Sequence, residues 1–139
     1  IRSLKNGGQR TMNCLLDTHT FLWWDSSQTR LSKHAVELCQ SSENTLFLSL
    51  ASIWELQIKV LSGKLAIRLP LSVLVQEQVE TNGLHLLPIL PEHVYTLHKL
   101  PDLHRDPFDR MLIAQAMHER MVLISHDSLI AQYPIAVYW

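Results

Sequence analysis

Four short apolar runs, at residues 13–16, 46–48, 84–89 and 121–124, alternate with stretches of helical periodicity, and this alternation constrains the chain more than any other feature. The runs are continuous rather than alternating apolar and polar, so a sheet built from them has helices on both faces. Repeated strand–helix units with right-handed crossovers give a parallel arrangement. The expectation is a three-layer α/β/α sandwich with a mostly parallel sheet of four to five strands, a short fifth strand falling at 135–138.

The intervening stretches carry their own start and stop signals. A short helix is expected over 18–24, and Ser32 is placed as the N-cap of a helix to about Gln40. Ile53, Leu56, Val60 and Leu61 fall at i, i+3, i+7 and i+8, one apolar stripe, with Ser52 and Glu55 in capping-box spacing and Gly63 as a stop. Further helices are expected over 70–81, closed by Asn82-Gly83, and over 91–100, bounded by prolines. Asp106-Pro107 opens the last, to about Glu119, because Asp caps well and proline suits the first helical position.

A chain of 139 residues, 47% hydrophobic and 18% charged, is globular and fits one domain. Residues 1–11 are polar and precede Met12; we read them as an upstream or vector-derived extension, and 12–139 as the domain proper. They lack the apolar region of a signal peptide, and no apolar run approaches the ~20 residues of a membrane span, so a cytoplasmic protein is expected. A net charge of −1 argues against binding nucleic acid through a global basic field. Cys14 and Cys39 show no zinc or CxxC spacing and are expected to be reduced and structural.

Parallel sheets bind ligands at the carboxyl ends of their strands. Asp17 ends the first strand and Asp127 follows the fourth; Glu55 lies early in the helix after the second; Asp106 and Asp109, three apart, share one face of a first helical turn. Each has a structural reading: Asp17, Asp106 and Asp127 as caps or turn residues, Glu55 as a capping-box partner, Asp109 as a charge at a helix N-terminus. Together they gather at one sheet edge. Carboxylates so close raise one another's pKa unless a cation joins them. Hard oxygen ligands suit Mg²⁺ or Mn²⁺, which promote phosphodiester hydrolysis.

The segments LLDTHTFLWW, SIWELQIKVLSGKL, HRDPFDRMLIAQA and LISHD closely resemble the four acidic motifs of the PIN-domain family, and more narrowly its VapC-type ribonuclease toxins, from about Met12 onward. The resemblance places the family's four acids on Asp17, Glu55, Asp109 and Asp127, as catalytic and metal-binding residues, with Asp106 a further candidate for the metal shell. It implies a Mg²⁺- or Mn²⁺-dependent endoribonuclease, a small antitoxin protein as partner, and a homodimer. Thr18 matches the hydroxyl residue after the first acid, and Ser125 stands where the family usually has Thr. Both are candidate substrate contacts, as is Arg110 beside Asp109. Trp54, Leu61 and Leu65 are expected to be exposed and to form the antitoxin groove.

His19 and His126 flank two of the acids and are candidates for substrate or outer metal contacts. Trp23 and Trp24 read as core or interface residues, with base stacking as the alternative. Arg105, Lys59 and Lys64 read as solvated helix charges. Rival functions are a metal-dependent phosphatase or DNA nuclease, and a non-catalytic interaction module on the same fold. A haloacid-dehalogenase-type phosphatase needs a second Asp two residues after the strand-terminal one, where this chain has His19. A phospho-receiver needs paired acids before it and a late-strand Lys, and the sequence has neither.

Overall fold

The computed structural model describes residues 4–5 and 9–139. The expected extension over 1–11 therefore lies partly outside the described residues; within it, β1 (Leu4–Lys5) pairs antiparallel with β2 (Gln9–Arg10). The main sheet comprises β3 (Asn13–Leu16), β4 (Thr45–Ser49), β5 (His85–Leu87), β6 (Val122–Ile124) and β7 (Val137–Tyr138), in the order β5-β4-β3-β6-β7. Every neighbouring pair in it is parallel. The central strand β3 sets the register, with Leu15 opposite Phe47 on one side and Leu123 on the other.

Side chains alternate across a strand, and this divides the core in two. Cys14, Leu16, Leu46, Leu48 and Ile124 face α1 (Thr18–Ser26), α2 (Lys33–Gln40) and α4 (Leu71–Asn82), meeting Phe21, Leu38 and Leu74. Leu15 and Leu123 face the other way, against Leu112, Ile113 and Ala116 of α6 (Pro107–Glu119). The helix α3 (Leu50–Leu61) contributes to both sides, Leu56 to the first and Ala51 to the second. The result is the expected three-layer sandwich. Cys14 and Cys39 are buried and share no disulfide; burial, then the neighbouring Cys14, pushes the Cys39 thiol up to about 12. No described helix is long and apolar enough to cross a membrane.

Several boundaries move. β4 runs on to Ser49, whose backbone pairs with Leu87, and Ser49 caps α3 by accepting from Ala51 N at 3.0 Å. The capping box expected from Ser52 and Glu55 is therefore absent: both sit inside the helix, buried, and are freed for other partners. The expected helix over 91–100 divides into α5 (Pro91–Thr96) and a 3₁₀ turn, Leu97–Lys99. The third strand shrinks to three residues because it lies at the sheet edge, where His85 and Leu86 are exposed. Gly63 and Gly83 take positive φ just past α3 and α4, the left-handed stop their positions predict. Leu65 packs against the first core, so of the three apolar residues expected outside only Trp54 (62% exposed) and Leu61 (77%) are there.

Candidate functional site

β3 and β6 end side by side, and the chain leaves β3 at Asp17, whose amide donates to Ile124 O at 3.2 Å. Asp17 caps α1, its Oδ1 accepting from Thr20 N at 2.7 Å, and Thr20 Oγ1 donates to Ile124 O at 3.0 Å. This double tie fixes the buried Asp17 at the carboxyl edge of the sheet. The cap does not exhaust it. Asp17, Glu55, Asp106, Asp109 and Asp127 all line one cleft of about 280 Å³.

Each acid is held by its own element. Glu55, 7% exposed on α3, accepts from Thr18 Oγ1 at 2.8 Å and pairs with Lys59 Nζ at 2.9 Å one turn along. Thr18 also stands 3.0 Å from Ser52 Oγ, so the Thr18 hydroxyl orients the acid while itself lining the cleft. Asp106 caps α6, Oδ1 accepting from Phe108 N at 2.8 Å and Asp109 N at 3.2 Å. Asp127 accepts from Leu129 N at 2.8 Å.

Sequence reasoning missed His104. Its Nδ1 accepts from Asp106 N at 3.2 Å, which assigns the proton to Nε2. That N–H donates to Asp127 Oδ2 at 3.0 Å, and the same Nε2 stands 3.1 Å from Asp109 Oδ2. Its one signal in sequence is its place two residues before a helix cap, and it belongs to no periodic stretch.

Three expected substrate contacts separate. Thr18 lines the cleft. Ser125 is 3% exposed, and its Oγ accepts from Asp127 N at 3.1 Å, so it shapes the turn that aims Asp127. Arg110 turns away: it donates to Pro101 O at 3.1 Å, His104 O at 3.4 Å and Tyr133 Oη at 3.3 Å, bracing the loop that carries His104. One residue step on a helix rotates a side chain about 100°, which takes Arg110 off the face of Asp109. Among the described residues, the cation that lines the cleft is Lys59, and His19, Trp23 and His126 line it as well. Trp24 is buried in the core.

The charge is unbalanced. Burial first, then Asp106, with smaller contributions from Glu55 and Asp17, pushes the Asp109 carboxyl up to about 7 against the opposing pull of His104. Burial would raise Asp127 too, but its hydrogen bond from His104 and the Leu129 amide outweigh it and hold that carboxyl below the usual value. A ring nitrogen of His104 and a carboxylate oxygen from each of Asp109 and Asp127 lie within 4.8 Å of one another. Hard carboxylate oxygens converging on a spot now served by a single imidazole proton fit a hard divalent cation.

Comparisons with known proteins bear on the family and the fold. The model of the PIN domain family matches residues 14–135. No curated protein matches the chain. Among solved structures, VapBC2 from Rickettsia felis, bound to a DNA fragment from its promoter, matches with a TM-score of 0.70 at 16% identity, over 91% of this chain and 98% of the other. A toxin–antitoxin complex from Klebsiella pneumoniae matches with a TM-score of 0.59 at 14% identity, over 91% and 96%. VapBC-5 from Mycobacterium tuberculosis, of a toxin–antitoxin family, matches with a TM-score of 0.55 at 16% identity, again over 91% and 96%. At such identities the structural likenesses establish the fold, and the family match extends across nearly all the sheet and every acid of the cleft: the chain belongs to the PIN domain family.

Proposed function

We propose that residues 12–139 form a Mg²⁺- or Mn²⁺-dependent endoribonuclease, the toxin of a toxin–antitoxin module acting in the cytoplasm. One observation carries this reading: five carboxylates line a single cleft with too few positive groups to balance them. A non-catalytic module would have no use for so costly a cluster. Asp17, Glu55, Asp109 and Asp127 are the residues that hold the cation. When bound, it supplies Lewis acidity toward the phosphodiester and makes the attacking water more acidic. Thr18 and Lys59 orient Glu55, Ser125 orients Asp127, and Lys59 offers positive charge to the backbone phosphate. The solved toxin–antitoxin complexes that share this fold support a small antitoxin partner. Trp54 and Leu61, exposed on α3, form part of its groove, in a protein that is itself a homodimer.

The test is calorimetric titration with Mn²⁺ beside cleavage of single-stranded RNA, for the natural chain and Asp17→Asn. Asn keeps the helix cap but removes a charged ligand. Cleavage should fall by roughly a hundredfold or more while the melting temperature holds or rises. Full activity in Asp17→Asn, or no Mn²⁺ binding by the natural chain, would remove the metal-nuclease reading.

A further inference from the structure

The acidic cleft has an aromatic wall that metal chemistry leaves unexplained. His19 stacks on Trp23, ring centroids 5.8 Å apart and planes 27° from parallel. His126 stacks on Trp139 at 5.1 Å and 28°. The two indoles meet edge to face at 5.8 Å, joining the pairs into one run of four rings. Arg30 sets its guanidinium 4.8 Å from the Trp23 ring centroid, adding a cation to the run.

Burial along the run is graded. Trp23 and Trp139 are half-buried, packed against the first core, whereas His19 and His126 are exposed. Each indole thus backs an imidazole and leaves it open to solvent. Both imidazoles line the cleft, and each stands beside an acid of the site: His19 two residues after Asp17, His126 immediately before Asp127. Core packing accounts for the indoles. It does not account for two exposed rings stacked upon them at the rim of a charged cleft.

We infer that His19 and His126, backed by Trp23 and Trp139, form a stacking platform for unpaired bases of a single-stranded RNA whose backbone enters the acidic cleft. Any base offers a flat π face to such a ring, so the platform tolerates sequence but requires unpaired bases; a duplex hides those faces. Arg30 supplies positive charge for the strand's phosphates, which matters in a chain of net charge −1. The inference rests on the ribonuclease reading for the identity of the strand, and it explains how a cleft lined with carboxylates retains a polyanion.

The experiment measures fluorescence anisotropy of a labelled single-stranded oligoadenylate in Mg²⁺, using Asp17→Asn as common background so that the strand survives. An abasic strand of equal length and charge, an RNA duplex and an oligodeoxyadenylate are the other probes. His19→Ala and His126→Ala should each weaken oligoadenylate binding about fivefold to tenfold. His19→Phe and His126→Phe should restore it to within about twofold, since a phenyl ring stacks but neither ligates a cation nor transfers a proton. The abasic strand should bind weakly and alike to all variants, the duplex should bind weakly, and the deoxy strand should lose on the Ala variants as the ribo strand does. Both histidines are exposed, so their variants keep the fold. Phe variants as weak as Ala, equal losses on the abasic strand, or no loss with Ala would each overturn the platform. If the natural chain cuts RNA yet these ratios do not move, the platform alone falls; if it cuts no RNA but the ratios hold, the nuclease reading alone falls.

Discussion

His93 and His104 share one wiring: in each, Nδ1 accepts a backbone amide, from Leu90 at 3.0 Å and from Asp106 at 3.2 Å, and Nε2 faces a carboxylate. Their surroundings differ. His93 is fully buried between α5 and α6 and meets one acid, Glu119, at 2.6 Å, with Gln115 Nε2 3.3 Å from its Nδ1. His104 stands beside the cleft and meets two acids, with three more lining the same space. In the first centre a single Nε2 meets a single carboxylate, and this pair clamps α5 to α6. In the second, acceptors outnumber the single N–H, and that surplus suits a cation. The arrangement of the imidazole is common to both; the count of carboxylates around it separates a clamp from a site.

The sharpest way to break this contrast is to remove each ring. His93→Ala leaves a cavity and strips Glu119 of its partner, so stability should fall by about 2–3 kcal/mol. Mn²⁺ affinity should stay within about twofold, because no acid of the cleft touches His93. His104→Ala should reverse the pattern, costing about 1 kcal/mol or less in denaturant unfolding while weakening Mn²⁺ binding about tenfold through loss of carboxylate positioning. Equal stability losses in the two variants would erase the distinction.

A smaller effect sharpens the electrostatic half. Asp109 has its carboxyl raised to about 7 in the folded chain, against about 3.9 unfolded. The folded state therefore binds more protons over that interval, and this contribution to stability, complete below about pH 4, is lost as pH rises through 7. In EDTA, Asp109→Asn should be more stable than the natural chain at pH 7.5 by roughly 1–2 kcal/mol and should lack that slope, with allowance for screening at a partly exposed side chain. Added Mn²⁺ should erase the advantage, since the ion needs the ionised acid and binds more tightly as pH rises. Asp127 shares His104 but moves oppositely, so its contribution is present above its unfolded pKa and fades in acid.

Much of this was legible in the sequence, for identifiable reasons. Continuous apolar runs ending in acids announce a parallel sheet with a charged edge, and Asp106-Pro107 announces the start of α6. What failed was anything decided between elements. Ser49 and Ser52 are equally good caps by type, and only the pairing of β4 with β5 selects Ser49. Arg110 sits next to Asp109 in sequence but a helical step turns it toward Tyr133. His104 lies in the irregular segment before α6, one of eight histidines, and nothing local marks the pair of acids it stands between.

Asp106 both caps α6 and lines the cleft. Our reading is that the cap is its main task. Asn offers the same Oδ1 to Phe108 N and Asp109 N, so Asp106→Asn should change stability by no more than about 0.5 kcal/mol, whereas Asp106→Ala, which loses the cap, should cost about 1 kcal/mol. The charge matters through Asp109, for which Asp106 is the largest cause of the raised pKa after burial. Removing it should lower the pH at which Asp109 ionises and so shift the onset of Mn²⁺ binding toward acid, with most RNA cleavage retained at neutral pH. Calorimetric titrations across pH, run beside cleavage assays at fixed Mn²⁺, read both effects. A cleavage loss matching that of Asp17→Asn would place Asp106 among the ligands; an unmoved pH onset would mean that burial, with Glu55 and Asp17, holds Asp109 where it is.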